Sequence, residues 1–208
     1  YAAPTCATCH MSATTNQPLN HDVGLRISWT LRPVFAERKE NWQEKRRNMQ
    51  DVCSACHEDR FVEGHYYQYD AVVNLYNEKF AGPMTEIMDM IREKGLLERP
   101  ASFSNDIEWT YWELWHHEGR RARMGAAMMG PDYTWWHGIY EDIKHFYFKF
   151  IPEARAYDDP EVNQYIEELL TANPYHQWVN QPTEALKQAI QSGKMQEKYE
   201  DMFPEDEE

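Results

Sequence analysis

All four cysteines of this 208-residue chain belong to C-x-x-C-H pentapeptides: Cys6-Ala7-Thr8-Cys9-His10 and Cys53-Ser54-Ala55-Cys56-His57. The spacing has a chemical reason. Two thiols three residues apart can form thioether bonds to the two vinyl groups of one haem. The histidine that follows is then held beneath the iron as an axial ligand. Redox C-x-x-C pairs, a zinc site or two disulfides would use the thiols but leave both histidines without a reason. The motifs therefore predict two covalently bound haem c groups. Cys6, Cys9, Cys53 and Cys56 are the thioether positions, and His10 and His57 the proximal iron ligands.

The other seven histidines compete for the second axial position that low-spin electron-transfer haems take. His21 lies in a loop after the first motif, Leu19-Asn20-His21-Asp22, and is expected to be a distal ligand, of the nearest haem or of a stacked neighbour. His137 follows two tryptophans and precedes Gly138, a small residue that permits close approach, and is expected to be another. His116 and His117 are helix neighbours pointing about 100° apart, so at most one faces a given haem. A distal role, an interhelix hydrogen bond or a propionate contact would each suit them. His65 reads as a partly exposed helix residue, and His145 and His176 as surface residues. Haem propionates are best matched by arginine. Arg120, Arg121 and Arg123 beside Glu118 are candidates, although a solvated helix face is the plainer reading. Arg26, Arg32, Arg46 and Arg47 flank the motifs and are candidates on the same ground. Met124, Met128 and Met129 fall at helical spacing and should pack a core or a haem edge.

These side chains need helices to position them. Phe35 to Asp51 is dense in Glu, Lys, Arg and Gln and predicts an exposed helix running into the second motif. Helices are also predicted over 64–80, with an aromatic face, and over Met84 to Lys94, stopped by Gly95. The longest should start at Asn105, with Glu108 completing a capping box, and run to Met129 before Gly130-Pro131. At 1.5 Å per residue it would span about 36 Å. Pro131 then suits the first turn of a helix carrying Tyr133 to about Phe150. From Asp158 short amphipathic segments alternate with proline breaks, and the acidic end should fray. No strand-type alternation is visible. The expected fold is all-α, a multihaem cytochrome c with little regular structure around the haems and long helices after them. Its expected segments are 1–60 (dihaem), 61–157 (long helices) and 158–208 (acidic helical tail).

Composition agrees with a porphyrin-filled core. Hydrophobic residues make up only 42%, yet aromatics reach 14%, with eight Trp and thirteen Tyr. A net charge of −14 argues against nucleic-acid binding and would suit a basic electron-transfer partner. No run of about eighteen apolar residues predicts a membrane span. Covalent haem attachment implies an extracytoplasmic setting, a periplasm or an equivalent lumen. Only five residues precede Cys6, which favours a further N-terminal portion on this chain or a partner.

Several stretches carry a resemblance. Ala7-Thr8-Cys9-His10-Met11-Ser12 and Arg26-Ile27-Ser28-Trp29 are two of them. The third runs from Trp112-Glu113-Leu114-Trp115-His116-His117-Glu118-Gly119-Arg120-Arg121-Ala122-Arg123 through Gly130-Pro131-Asp132-Tyr133 to Trp135-Trp136-His137-Gly138. Together they resemble the C-terminal part of octahaem hydroxylamine oxidoreductases, over roughly residues 1–155. That family includes hydrazine dehydrogenases and octahaem nitrite reductases. The resemblance implies that the two motifs hold the last two of eight haems, and that long C-terminal helices build a homotrimer. It implies a tyrosine linked covalently to the catalytic haem of an adjacent subunit, with Tyr133 the first choice and Tyr140 the second. Comparison with pentahaem nitrite reductases implies His137 as distal ligand of the Cys6/Cys9 haem, and His21 as ligand of a haem on the N-terminal portion. The family's catalytic haem would lie outside this sequence. The expected activity is a share in oxidation of a small nitrogenous substrate, with electrons passed to an acceptor cytochrome. The alternatives are a free-standing dihaem carrier and part of a reductive nitrite or NO enzyme.

Overall fold

The computed structural model describes residues 3–194 and Glu197, in two compact units, 1–157 and 158–208. The fold is all-α. The first unit contains both the motif region and the long helices.

In the motif region, the short helix Cys6–His10 carries the first pentapeptide. Thr5 starts it with a reciprocal cap to Thr8, a device that contributes about 1 kcal/mol. The second pentapeptide begins at the end of the helix Trp42–Cys53. This helix starts later than the expected Phe35, because Glu37–Arg38 pairs antiparallel with Trp29–Thr30. That two-residue ladder is the only strand pairing among the described residues, where none was expected. Asn41, at φ 55°, turns the chain from the ladder into the helix.

Three long helices follow. The first runs over 59–93 as Asp59–Tyr76, a π turn Asn77–Ala81 and Gly82–Glu93, so the two helices expected on either side of Pro83 are one. It is the longest, which corrects the expectation for the next. A proline inside a helix clashes with the carbonyl four residues before it, here Lys79, and the π turn widens the helix at that point. Gly95, at φ 66°, ends the helix as expected, with Leu96 N–H donating to the Ile91 carbonyl.

The second helix runs over 106–127, broken only by the π turn Glu113–Glu118. Its capping box at Asn105 and Glu108 is as expected. Its end is not. The left-handed residue is Met129 (φ 57°), one place before Gly130, and Met128 and Met129 are turned into solvent while Met124 packs on the core.

Pro131 opens the third helix, which reaches Arg155 through π turns at Trp135–Ile139 and Phe146–Phe150. The second of these turns precedes Pro152, as the turn at 77–81 precedes Pro83. Glycines let the backbones meet. A Cβ on Gly138 would lie 2.6 Å from Ala122 Cα, and one on Gly119 would lie 2.3 Å from the Tyr76 ring. The close approach at Gly138 is therefore to a neighbouring helix. Between the three helices lie Tyr76, Phe80, Ile87, Leu114, Phe146 and Phe150, all buried.

The second unit holds the helices Pro160–Ala172 and Thr183–Gln191, joined by a short 3-10 turn Gln177–Asn180. His176 is buried, contrary to the surface position expected. The acidic end lies outside the described residues.

Candidate haem-attachment site

Sequence spacing places two thiols and a histidine together; the fold then places the two motifs together. Asp51, two residues before Cys53, accepts hydrogen bonds from Thr14, from Asn16 Nδ2 at 2.6 Å and from Gln17 Nε2 at 2.6 Å. Those hydrogen bonds, the Thr14 bond foremost, hold its carboxyl below the usual carboxylate range. The loop after the first motif is thus clasped to the helix that delivers the second. Burial pushes the Cys53 thiol up, and Cys9 adds to the shift.

Around the first motif, His10 Nδ1 lies 3.1 Å from the Val23 carbonyl. A carbonyl only accepts, so Nδ1 carries the proton and Nε2 presents its lone pair. This is the outer hydrogen bond that orients a metal-ligating histidine and raises its basicity. Beside it opens a cavity of about 260 Å³, lined by Cys6, Ala7, His10, Met11, Val23 and Ile27. Neither His21 nor His137 lines it. Arg26 is buried, and donates from Nη1 to the Cys9 carbonyl (2.9 Å), from Nη2 to the Ser12 carbonyl (2.5 Å) and from Nε to Gln17 (3.2 Å). It closes the C-terminal end of the motif helix, a role the propionate expectation did not include. The second motif is more open. His57 is exposed and stacks on Phe61 with ring centroids 4.3 Å apart.

These residues fit covalent haem. All four thiols are free, His10 has the required tautomer, and the walls beside it are apolar.

The remaining candidates fall into separate groups. His21 is exposed in its loop. His116, His117 and His137 all lie in π turns, which recur at functional sites. His116 stacks on Trp112 at 4.2 Å, and its Nδ1 is buried without a partner. His137 is exposed, with Nε2 3.3 Å from Asp132 and its ring 5.5 Å from that of Tyr133. Tyr133 and Tyr140 share this exposed face with Trp136. Arg120 donates to the Arg32 carbonyl at 2.7 Å and lies over Trp115. Arg121 is exposed. Arg123 is fully buried, donates to the Gly119 and Val34 carbonyls and lies over Tyr76, with its Nη2 left without a partner. Arg46 is likewise taken, by two 2.6 Å bonds to Asp70.

Sequence reasoning missed three features. The Val23 carbonyl has no sequence signal. Asp70 did have one, as an acid four residues after Tyr66 on the stripe of Val62, Tyr66, Tyr69 and Val73. His145, expected at the surface, is half-buried against Glu118.

Residues 1–100 match the family model described as "Seven times multi-haem cytochrome CxxCH", just under half of the chain. The chain carries a multihaem c-type cytochrome segment. The match spans both pentapeptides and makes that segment part of an electron-transfer haem protein with covalently bound haem c. Such cytochromes are typically extracytoplasmic, and among the described residues no helix is long and apolar enough to cross a membrane. No curated protein and no solved structure matches the chain.

Proposed function

We propose that the chain is the dihaem relay end of a hydroxylamine-oxidoreductase-like multihaem assembly. It holds one haem c at each motif and passes electrons from oxidation of hydroxylamine or hydrazine towards an acceptor cytochrome. The observation that carries the relay is the clasp of the two motifs through Asp51. A bound haem supplies one-electron redox chemistry at its iron. The chain's residues do the rest. Cys6 and Cys9, and Cys53 and Cys56, hold the two groups, and His10 offers Nε2 because Val23 keeps the proton on Nδ1. Cys6, Ala7, Met11, Val23 and Ile27 would offer the first group an apolar surface beside His10.

His137 and His21 are the proposed distal ligands. The pair that occupies His137 Nε2 is exposed and worth less than about 1 kcal/mol, so it opens at little cost. Tyr133 is proposed for the link to a neighbour's catalytic haem, in a homotrimer completed by an N-terminal multihaem portion or subunit. Its outward position on the same face as His137 supports that reading, and Tyr140 is the second choice.

Haem content and covalent linkage test this together. Pyridine haemochrome assay should give two haems per chain, and replacing either cysteine pair by alanine should remove one. On a haem-stained denaturing gel of the native assembly, Tyr133→Phe should release a subunit band that wild type and Tyr140→Phe keep linked. Two haems on a monomer that neither links nor oxidises hydroxylamine would leave a free-standing dihaem carrier.

A further inference from the structure

The 106–127 and 131–155 helices bring three ligating side chains face to face. Glu118 ends one π turn, while Glu141 and His145 stand four residues apart and so share one face of Tyr140–His145. One ligand atom from each lies within 4.8 Å of the other two. His145 Nδ1 is 2.5 Å from a Glu118 oxygen, and its Nε2 is 3.7 Å from a Glu141 oxygen, beyond hydrogen-bond range. The Glu118 side chain is only 6% exposed, and its second oxygen, Oε2, is buried with no hydrogen-bond partner.

The surrounding charges leave Glu118 without a lysine or arginine partner among the described pairs. Asp142, beside Glu141, is fully buried, and neither of its oxygens has a hydrogen-bond partner. The buried cation nearby, Arg123, gives its Nε and Nη1 to main-chain carbonyls, while its Nη2 has no hydrogen-bond partner and its charge acts on Asp142 rather than on Glu118 or Glu141. Lys144 reaches Glu141 from the exposed rim at 3.3 Å, and Lys149 is paired with Glu113. A buried polar group without a partner is costly, and a buried carboxylate more so. A cation bound by Glu118, Glu141 and His145 would relieve that cost at Glu118, whose Oε2 has no other partner.

We propose that Glu118, Glu141 and His145 form a binding site for a divalent first-row transition cation of the zinc class. One imidazole and two carboxylates suit such an ion, whereas calcium and magnesium take oxygen ligands alone. Three protein ligands leave a fourth position open to water. None of the four thiols belongs to the ligand set, so it is distinct from zinc captured by unloaded C-x-x-C pairs.

The test uses the haem-loaded full chain, stripped with chelator and dialysed against zinc. One zinc per chain should be retained. His145→Ala and Glu118→Gln should each weaken zinc binding at least tenfold, and Glu113→Gln, a carboxylate outside the set, should leave it unchanged. The zinc X-ray absorption edge of wild type should report nitrogen and oxygen ligands at about 2.0–2.2 Å. It settles the matter even if a variant fails to fold. No stoichiometric zinc, wild-type affinity in both ligand variants, or a sulfur shell would overturn the proposal.

Discussion

Asp70 shows how one side chain joins the motif region to the long helices. It accepts from Trp29 Nε1 (2.9 Å), Arg38 (2.7 Å) and both terminal nitrogens of Arg46 (2.6 Å). Arg38 lies over Trp29 and Trp42, and Arg46 over Tyr66, so the charges sit among aromatic faces. Burial alone would raise the Asp70 carboxyl, but the bonds from Arg46, Arg38 and Trp29 outweigh it and hold the group below the usual carboxylate range. Its folded value is therefore below the unfolded value of about 3.9. The stability it contributes is present above that unfolded value and is lost as pH falls through the folded one. Asp70→Asn leaves two guanidiniums without their acceptor. The side chain keeps 21% exposure, so the cost should be about 2 kcal/mol, below the range for a fully buried pair. Melting followed by circular dichroism should show a fall of about 4–8 °C near pH 7. The deficit should shrink towards pH 3, and a constant deficit across that range would refute the linkage.

At the scale of elements, the sequence is legible where a local rule acts alone. The capping box at Asn105, the stop at Gly95 and the start at Pro131 are as expected because each depends on a few neighbouring residues. Pro83 reads as a break because the π turn that accommodates it leaves no mark in hydrophobic periodicity. His145 reads as surface because its partner is a residue of another helix. Tight helix crossings are hidden in the same way. Gly138 and Gly64 are both helix glycines, yet only the first meets a backbone. Gly138→Ala should force the 106–127 and 131–155 helices apart and cost about 1–3 kcal/mol. Gly64→Ala meets nothing within 4 Å and should stabilise by about 0.4–1 kcal/mol. Urea denaturation of the two variants should move the midpoint in opposite directions. A shift of the same sign in both would mean that the close crossing does not control Gly138.

Over the whole molecule, charge decides more than shape about how electrons leave. The chain carries −14 before cofactors are counted, and each attached haem adds two propionates. An acceptor that docks productively should therefore present a basic surface, and their encounter should be steered by long-range attraction. Screening sets the size of the effect. The Debye length falls from about 30 Å at 0.01 M salt to about 8 Å at 0.15 M, so attraction that spans a protein diameter at low salt acts only near contact at physiological salt. Stopped-flow oxidation of the reduced, haem-loaded protein by a basic cytochrome should slow by about tenfold or more across that range, within the span known for steered association. An acidic acceptor should show the opposite slope, because salt then screens repulsion. A rate indifferent to salt with both acceptors would mean that the acidic surface serves solubility alone, and that the exit for electrons lies on a neutral patch. The exposed second motif, with His57 stacked on Phe61, would then be the first place to look for that patch.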